Sequence, residues 1–547
     1  MFGRAKAGFP GGLALPGHKL YGEAGRTRAA PLPDELVFPL GQHVGQAATP
    51  VVQVGDRVRR GDLLAAAEGF VSAAIHASTS GEIRAIEERP IPHASGLSAL
   101  CIVLAADGED RGREAPLWTP QADWQDLPRE ELLACIRQAG IVGLGGAAFP
   151  AAVKLNPKDT AHVGTLILNG AECEPYISCD GAAMLEDAPA IVAGARLLAY
   201  LIRAREVQIA IEDHNPSALE AMRAAAKDSG DRAVKVVPVP SRYPQGGERQ
   251  LIQTLTGREV PSEGLPIDIG IVVHNVATAA AIWRAVTAAE PLTERIVTVT
   301  GSGVRAPANL RVRIGTPIRT LIEACGGYSE AGVQRLLLGG PMMGVALADD
   351  ALPIVKGSNC ILVGGSEDLA PPVEPMPCIR CGDCVSVCPA GLLPQQLYWH
   401  ARAKEFDKTQ TLNLFDCIEC GCCAQVCPSD IPLVQYYRYA KTEIRLAEQE
   451  KIKADQARAR HEFRQQRLER EKREKEEARR RKREQLAAKQ AAQKAKAEAE
   501  AAAASADNPA PAGAKEPAQA EQTPPAVAAA QARARRQQAA ARDEDQS

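Results

Sequence analysis

Aromatic side chains, net charge and long apolar runs are all scarce in this 547-residue chain. Aromatics make up 4%, and 64 Lys and Arg face 67 Asp and Glu, for a net charge of −3. A protein whose main task is to neutralise nucleic-acid phosphates is strongly basic, and a single-strand binder stacks bases on aromatic rings. We therefore expect no nucleic-acid partner.

Two kinds of apolar segment are also missing. The first 20 residues contain no unbroken apolar core with a small-residue cleavage site, so they do not read as a secretory signal. The best uncharged stretches, such as residues 269–283, contain His and Asn and fall short of the ~18 to 20 apolar residues that span a bilayer. The sequence predicts a cytosolic chain that does not cross a membrane by itself.

Cysteine, in contrast, is abundant, with 15 residues. In a reducing compartment so many thiols favour metal ligation or redox chemistry over a disulfide framework.

The predicted fold class is a multidomain α/β protein, and its first module lies at residues 35–110. Short β-type runs there are separated by Gly-Asp and Ser-Gly turns. The segments VGDRVRRGDLLA and IHASTSGEI resemble the two halves of a biotinyl/lipoyl carrier domain, a small β-sandwich. Such carriers display a modifiable lysine on the turn between the halves, whereas residues 68–74 contain none. We therefore predict a carrier-like structural or docking module.

Residues 130–290 alternate between strand and helix patterns. The predicted elements are strands at 165–168, 207–211 and 234–239 and helices at 188–202 and 217–226. This alternation is typical of a parallel, Rossmann-like sheet, which binds ligands at the loops that follow its strands.

Three further segments follow. Residues 294–350 resemble a β-grasp module of the soluble-ligand-binding type, and residues 370–438 hold most of the cysteines. Residues 440–547 are first rich in Lys, Arg and Glu, then in Ala, Gln and Pro. They predict a solvated helix that gives way to disorder; a role in binding a partner stays open.

Two copies of C-x2-C-x2-C-x3-C-P provide the strongest chemical signal. This is the bacterial ferredoxin spacing for [4Fe–4S] clusters, in which the fourth cysteine of each copy binds the other cluster. The spacing assigns Cys378, Cys381, Cys384 and Cys427 to one cluster, and Cys417, Cys420, Cys423 and Cys388 to the second. Zinc also binds C-x2-C pairs, but two complete copies with trailing prolines disfavour it. Cys422 falls outside the spacing, and the long insert between the copies has helical spacing, so we predict a helical ferredoxin domain.

Three polar loops lie in the βαβ region. Gly143 to Pro150, followed by Lys154, is glycine-rich, so its backbone N–H groups are accessible to phosphate or flavin. Asn169 to Pro175 and Tyr243 to Gln250 each follow a predicted strand. Taken singly, each also fits an ordinary surface loop.

Together, the loops GLGGAAFP, NGAECEP and YPQGGERQLI resemble, in order, segments of the FMN- and NADH-binding subunit of respiratory complex I. With the carrier-like module and the two-cluster domain, residues 10–440 resemble the RnfC (RsxC) family of ion-translocating oxidoreductase subunits. The resemblance implies that FMN contacts Gly143, Gly145, Gly146, Lys154 and Asn169, and that Phe149, Glu172 and Glu248 seat NADH. The chain departs from complex I at Ala148, where that family has glycine, and at Leu144, where it has arginine.

The implied function is electron transfer from NADH through FMN and two [4Fe–4S] clusters, in a peripheral subunit on the cytoplasmic side of the inner membrane. Its implied partners are integral membrane subunits that move ions and a ferredoxin-like subunit. No catalytic acid or base is expected. Two alternatives stay open. One is an electron-wire or scaffold subunit that holds no nucleotide. The other is a flavin subunit of an NADH-linked hydrogenase or formate dehydrogenase, against which the carrier-like module and the segment GGPMMG argue.

Overall fold

The computed structural model describes residues 8–20, 25–156, 162–330, 332–369, 371 and 373–504. The chain divides into two units, Met1–Glu448 and Gln449–Ser547. The first unit contains the predicted modules, which follow one another along the chain.

The N-terminal module is built from short antiparallel strands. Two sheets with strand orders β2-β8-β7-β4 and β3-β5-β6 form the predicted sandwich. Its Gly-Asp turns depend on glycine, because Gly55 and Gly61 adopt φ values of +94° and +92°. The lysine-free turn joins β5 to β6. The strands up to residue 106 are β1 (Thr27–Ala29), β2 (Glu35–Pro39), β3 (Thr49–Pro50), β4 (Arg57–Val58), β5 (Leu63–Ala66), β6 (Ile75–His76), β7 (Gly81–Pro90) and β8 (Ser98–Ala106).

The second module is a four-stranded parallel sheet of order β11-β10-β9-β12, flanked by helices. The predicted strands and helices all lie within observed elements, and α4 and β11 have the predicted bounds. Because β10 and β12 lie on opposite sides of β9, the sheet has a topological switch point at the carboxyl end of β9. The elements are α1 (Arg129–Gln138), α2 (Ala151–Lys154), β9 (Thr165–Gly170), α3 (Cys179–Glu186), α4 (Ala188–Ile202), β10 (Glu206–Glu212), α5 (Pro216–Asp228), β11 (Val234–Val239), α6 (Glu248–Thr256), β12 (Ile271–Asn275) and α7 (Val276–Ala288).

A mixed six-stranded sheet forms the third module, in the order β1-β14-β13-β17-β15-β16. It includes β1 and β17, which lie outside the predicted residues 294–350. Strand β1 pairs in parallel with β14, so the N-terminal segment closes one edge of this sheet. The elements are β13 (Glu294–Thr300), β14 (Ala308–Arg313), α8 (Ile318–Ala324), β15 (Arg335–Leu338), β16 (Val345–Leu347) and β17 (Cys360–Gly364).

The cysteine-rich module is helical, as the long insert between the motifs predicted. Buried Leu397, Leu414, Tyr437 and Ala440 lie in its core. Its helices are α9 (Asp383–Ser386), α10 (Pro394–Arg402), α11 (Phe406–Thr411), α12 (Cys422–Gln425) and α13 (Leu433–Ala504).

Helix α13 continues into the second unit, where residues 449–504 are all exposed. The predicted charged helix is therefore present, while residues 505–547, the last part of the predicted tail, lie outside the described residues. Among the described residues, none of the helices combines the length and apolar character needed to span a membrane.

Candidate functional site

The glycine-rich loop between α1 and α2 is closed like a hairpin. The amide of Gly143 donates to the carbonyl of Phe149 (2.8 Å), and the amide of Ala148 donates back to the carbonyl of Gly143 (3.1 Å). Residues 145–147 at its tip are exposed. Gly146 has a φ of +106°, and a Cβ there would meet nothing closer than 4.0 Å. The tip thus presents bare backbone to an open space, which suits a phosphate or flavin ligand.

The two departures from the complex I pattern have different structural consequences. Leu144 is buried, with 4% exposed, and its carbonyl accepts from Nη2 of Arg295 in β13 (3.0 Å). Ala148 adopts a φ of +48°, a left-handed conformation that glycine tolerates better than alanine. The third module therefore supports the glycine-rich loop through the hydrogen bond from Arg295 to Leu144.

Two asparagines end neighbouring strands beside this loop. Asn169 in β9 and Asn275 in β12 are register partners at the carboxyl edge of the sheet. Asn169 Nδ2 donates to the carbonyl of Gly246 (2.8 Å). A Cβ on Gly145 would lie 3.3 Å from Asn275 Nδ2. The glycine-rich loop, β9 and the Tyr243 to Gln250 segment thus meet at the switch point.

Asn275 was missed by sequence reasoning. Its Oδ1 caps α7 by accepting from the amide of Ala277 (2.9 Å), and its Nδ2 donates to Oδ2 of Asp180 (2.7 Å). Burial, and then the nearby Glu172 carboxylate, raise the pKa of Asp180 to about 7. The position of Asn275 after an apolar strand and before a helix is the signal that could have identified it.

Lys154 and Glu248 form an ion pair of 2.7 Å between the end of α2 and the start of α6. Their side chains are 34% and 40% exposed, so both can contact a ligand. Phe149, at the end of the glycine-rich loop, is half-buried.

Glu172 differs from Lys154 and Glu248, because its carboxylate accepts hydrogen bonds from the N-terminus of a helix. Its carboxylate accepts from the amides of Asp180 (2.9 Å) and Gly181 (3.2 Å), at the N-terminus of α3. Lys19 Nζ donates to the carbonyls of Glu172 (2.5 Å) and Ile177 (2.5 Å) in the same loop. Nothing in the sequence links Lys19 to this loop, because more than 150 residues separate them.

The eight cysteines of the two motifs separate into two groups around two cavities. One cavity is lined by Cys378, Cys381, Cys384 and Cys427, and the other by Cys388, Cys417, Cys420 and Cys423. These are the groups that the ferredoxin spacing assigned, with the fourth cysteine of each motif in the other motif's group.

The two motifs also have the same backbone conformation. Arg380 and Glu419, at equivalent positions, have φ values of +59° and +58°, and Gly382 and Gly421 have values of +90° and +81°. Each left-handed pair turns the chain back on itself and brings three thiols to one point. Burial raises the pKa of Cys417 to about 11, so a thiolate there needs cations close by. The thiols therefore fit iron–sulfur clusters.

The groups differ in exposure. Cys381 is exposed, whereas Cys420 and Cys423 are 7% and 8% exposed. The buried group contacts the second module, since Tyr243 Oη donates to the carbonyl of Cys420 (2.7 Å) and Gln250 Nε2 donates to that of Pro389 (3.3 Å). The segment that meets Asn169 at the switch point therefore also contacts the buried cysteines.

Four family descriptions match successive parts of the chain. They are the RnfC barrel sandwich hybrid domain at residues 7–109, the Nuo51 FMN-binding domain at 136–284, the SLBB domain at 296–346 and the 4Fe-4S dicluster domain at 377–431. The fold and the sites therefore define a class of protein that combines an FMN-binding type of domain with a 4Fe-4S dicluster type of domain.

Curated relatives narrow this class. Several relatives are named as the C component, a subunit of the ion-translocating oxidoreductase complex. The one from Pseudomonas aeruginosa is 49% identical over 84% of this chain and 59% of its own length. The one from Pectobacterium carotovorum is 44% identical over 84% of this chain and 61% of its own length. The corresponding protein of Vibrio cholerae is 46% identical over 84% of this chain and 59% of its own length. The chain belongs to the family of these C components, the RnfC family. It spans about three fifths of their length.

Among solved structures, an NAD+-reducing [NiFe]-hydrogenase in the H2-reduced state aligns with a TM-score of 0.40 and 19% identity, over 61% of this chain and 65% of that chain. A likeness this low has no bearing on function.

Proposed function

We propose that this chain is a peripheral electron-transfer subunit of a membrane-bound, ion-translocating oxidoreductase. It takes electrons from NADH by way of FMN and two [4Fe–4S] clusters. One observation supports this proposal above the others: the Tyr243 to Gln250 segment contacts both the switch point at Asn169 and the buried cysteine group at Cys420.

The FMN site is assigned to Gly143, Gly145, Gly146, Lys154 and Asn169. The exposed glycine tip offers backbone N–H groups, and Lys154 supplies a positive charge for the phosphate. Bound there, a flavin supplies the exchange between a two-electron hydride donor and one-electron iron–sulfur carriers.

Phe149 and Glu248 are assigned to NADH, because the ring and the carboxylate are both accessible beside the loop. Glu172 is assigned to the same ligand with a narrower role. Since two amides of α3 already occupy its carboxylate, it shapes the floor of the site.

The clusters are assigned to Cys378, Cys381, Cys384 and Cys427, and to Cys417, Cys420, Cys423 and Cys388. Because Tyr243 contacts Cys420, we assign the second cluster to the position next to the FMN site. Because Cys381 is exposed, we assign the first cluster to the position nearer the surface. A ferredoxin-like partner subunit fits that exposed end. Integral membrane subunits complete the complex, with this chain on the cytoplasmic side of the inner membrane.

Three measurements on anaerobically purified protein test the proposal. We expect about eight irons per chain for two cubanes, release of FMN on acid precipitation, and bleaching of the visible flavin and iron–sulfur absorbance by NADH. Stoichiometric zinc or about four irons would contradict the cluster assignment.

If the protein failed to retain FMN after reconstitution, it would instead be an electron wire or scaffold. Retained FMN without bleaching would leave the flavin assignment standing and overturn the choice of NADH as donor.

A further inference from the structure

The second unit contains a strongly basic helical segment that the proposed electron transfer does not use. Residues 451–490 contain 16 Lys and Arg against 8 Asp and Glu, a net charge of +8. Because the whole chain has a net charge of −3, the rest of it carries −11. An anionic surface therefore attracts this segment and repels the remainder.

The charge is concentrated at Arg479 to Arg483, where five basic residues are consecutive and exposed. Within the described residues, a single member of this run has an ion-pair partner, Arg480 with Glu484 at 3.6 Å. Successive helix positions are about 100° apart, so the five side chains point in all directions around the axis. Whichever side of the helix faces an anionic surface, uncompensated charge is available to it.

The apolar residues of the segment show how it would bind. Ile452, Phe463, Leu468 and Leu486 are exposed, and their spacing does not place them on one face. A helix that inserts into a bilayer needs a continuous apolar face, so attraction must come from charge. Phe463 is the segment's sole Phe, Tyr or Trp, which disfavours base stacking.

We propose that the Arg479 to Arg483 run binds the anionic phospholipid surface of a membrane. The chain belongs to a family of subunits of ion-translocating complexes, and the cytoplasmic face of such a membrane is negatively charged. Each basic residue near the surface adds to the attraction, so the run holds the chain at the membrane independently of protein partners. This inference rests on the proposed location at a membrane, but not on the proposed electron transfer.

Sedimentation of the full chain with lipid vesicles tests the proposal. We expect binding to vesicles containing roughly one-third phosphatidylglycerol to be at least about tenfold stronger than to pure phosphatidylcholine. Raising the salt from about 0.1 M to about 0.5 M should abolish it. The variant R479Q/R481Q/K482Q/R483Q should lose about tenfold or more in affinity, because glutamine keeps the helix propensity and removes the charge.

A control with the same change in net charge is R57Q/R84Q/R232Q/R258Q, at exposed positions of the first unit. It should lose much less affinity for the vesicles than R479Q/R481Q/K482Q/R483Q does, because the charges it removes lie outside the basic run. Equal losses in the two variants, or equal binding to both lipids, would overturn the proposal. Retention of duplex DNA without retention of vesicles would assign the helix to nucleic acid instead. Iron content and NADH bleaching, measured on the same samples, should not differ between variants, so a failure of the electron-transfer proposal is recognised separately.

Discussion

At Lys154, substitution can distinguish a role in binding a ligand from a role in stabilising the fold through its ion pair with Glu248. Its ammonium group lies 2.7 Å from the Glu248 carboxylate, and its side chain is 34% exposed, so it can contact both a phosphate and the carboxylate. We expect Lys154→Met to weaken FMN retention about tenfold or more, since a charge-assisted hydrogen bond contributes about 1.5–3 kcal/mol. Flavin released per chain after dialysis against a series of FMN concentrations measures the effect.

Lys235→Met is the matched control, because Lys235 and Glu206 form an ion pair of the same length, 2.7 Å, with similar exposure. It joins the amino ends of β11 and β10, at the opposite edge of the sheet. A comparable loss of FMN in this variant would show that ion pairs of this sheet matter through stability, and the assignment of Lys154 would be wrong.

Substitution of Tyr243 tests the connection between the candidate FMN site and the buried cysteine group. Its hydroxyl donates to the carbonyl of Cys420 at 2.7 Å, and the side chain is 3% exposed. Tyr243→Phe removes that bond at a cost of about 1 kcal/mol or more and loosens the contact between the two modules. We expect NADH to reduce the flavin at the normal rate and the iron–sulfur absorbance more slowly, in stopped-flow spectra.

The comparison variant is Tyr437→Phe. Its hydroxyl donates to the carbonyl of Pro394, also at 2.7 Å and also buried, but within the cysteine-rich module. This variant should lose similar stability and keep normal cluster reduction. Equal slowing in both would indicate general damage to the cluster domain.

At the level of elements, the hairpin of β5 and β6 contains an unusual buried side chain. His76 at the end of β6 is 1% exposed, and neither ring nitrogen has a hydrogen-bond partner among the described residues. Burial, together with the charges of Lys356 and Arg113, lowers its pKa to about 3. In the unfolded chain His76 takes up a proton near pH 6.5, whereas in the folded chain it stays neutral until the pH approaches about 3. The folded state therefore loses stability as the pH falls below about 6.5.

His76→Leu should remove the contribution of His76 to this pH dependence, while buried His43 and His274, whose pKa values are also lowered, keep theirs in both proteins. At pH 5 the buried imidazole costs about 2 kcal/mol relative to pH 7, so the thermal midpoint of the variant should fall less between these values. The raised pKa values of Asp180 and Glu212, about 7 and about 8, act in the opposite direction in both proteins. The exposed His93 provides the control, and an identical pH profile for His76→Leu and the unaltered chain would contradict the prediction.

The local sequence pattern predicted helices and strands well, but it did not predict which distant strands pair with each other. The helix Ala188–Ile202 and the strand Val234–Val239 have the predicted bounds, because their apolar patterns depend on residues only a few positions apart. The pairing of Thr27 with Asn309 leaves no local trace, since a three-residue edge strand has no period to detect.

The same division applies to the site. Cysteine spacing separated eight thiols into the two groups that surround the two cavities, because each motif sets its own loop geometry. The use of Glu172 as a cap for α3 and the docking of Lys19 on its loop depend on tertiary neighbours. Short spacing therefore predicts which thiols lie together, whereas contacts around an open loop site depend on the fold.

Across the first unit, one buried lysine joins three modules. Lys356 follows β16 and is 1% exposed. Its Nζ donates to the carbonyl of Ala74 in the N-terminal module and to that of Gly140 in the second module (2.7 Å). Its own carbonyl accepts from Arg295 in β13, the residue that also supports the glycine-rich loop. Lys356 thus adds a buried link between the carrier-like module and the second module, which contains the candidate FMN site.

Lys356→Met should therefore destabilise the unit by about 2–3 kcal/mol at neutral pH, because two buried carbonyls lose their donor. Burial lowers the pKa of Lys356 to about 7, from 10.5. Between these values the unfolded chain binds the extra proton, so this lysine's contribution to stability falls as the pH drops and rises as it increases. The pH dependence of the thermal midpoint should consequently differ between the unaltered chain and the variant, whereas the exposed Lys227→Met should show no such difference. A variant that lost no stability, yet released FMN, would mean that Lys356 orients the loop without holding the modules together. Unchanged stability and unchanged FMN would show that other contacts, such as the hydrogen bond from the amide of Val44 to the carbonyl of Ala148 (3.2 Å), join the modules without Lys356.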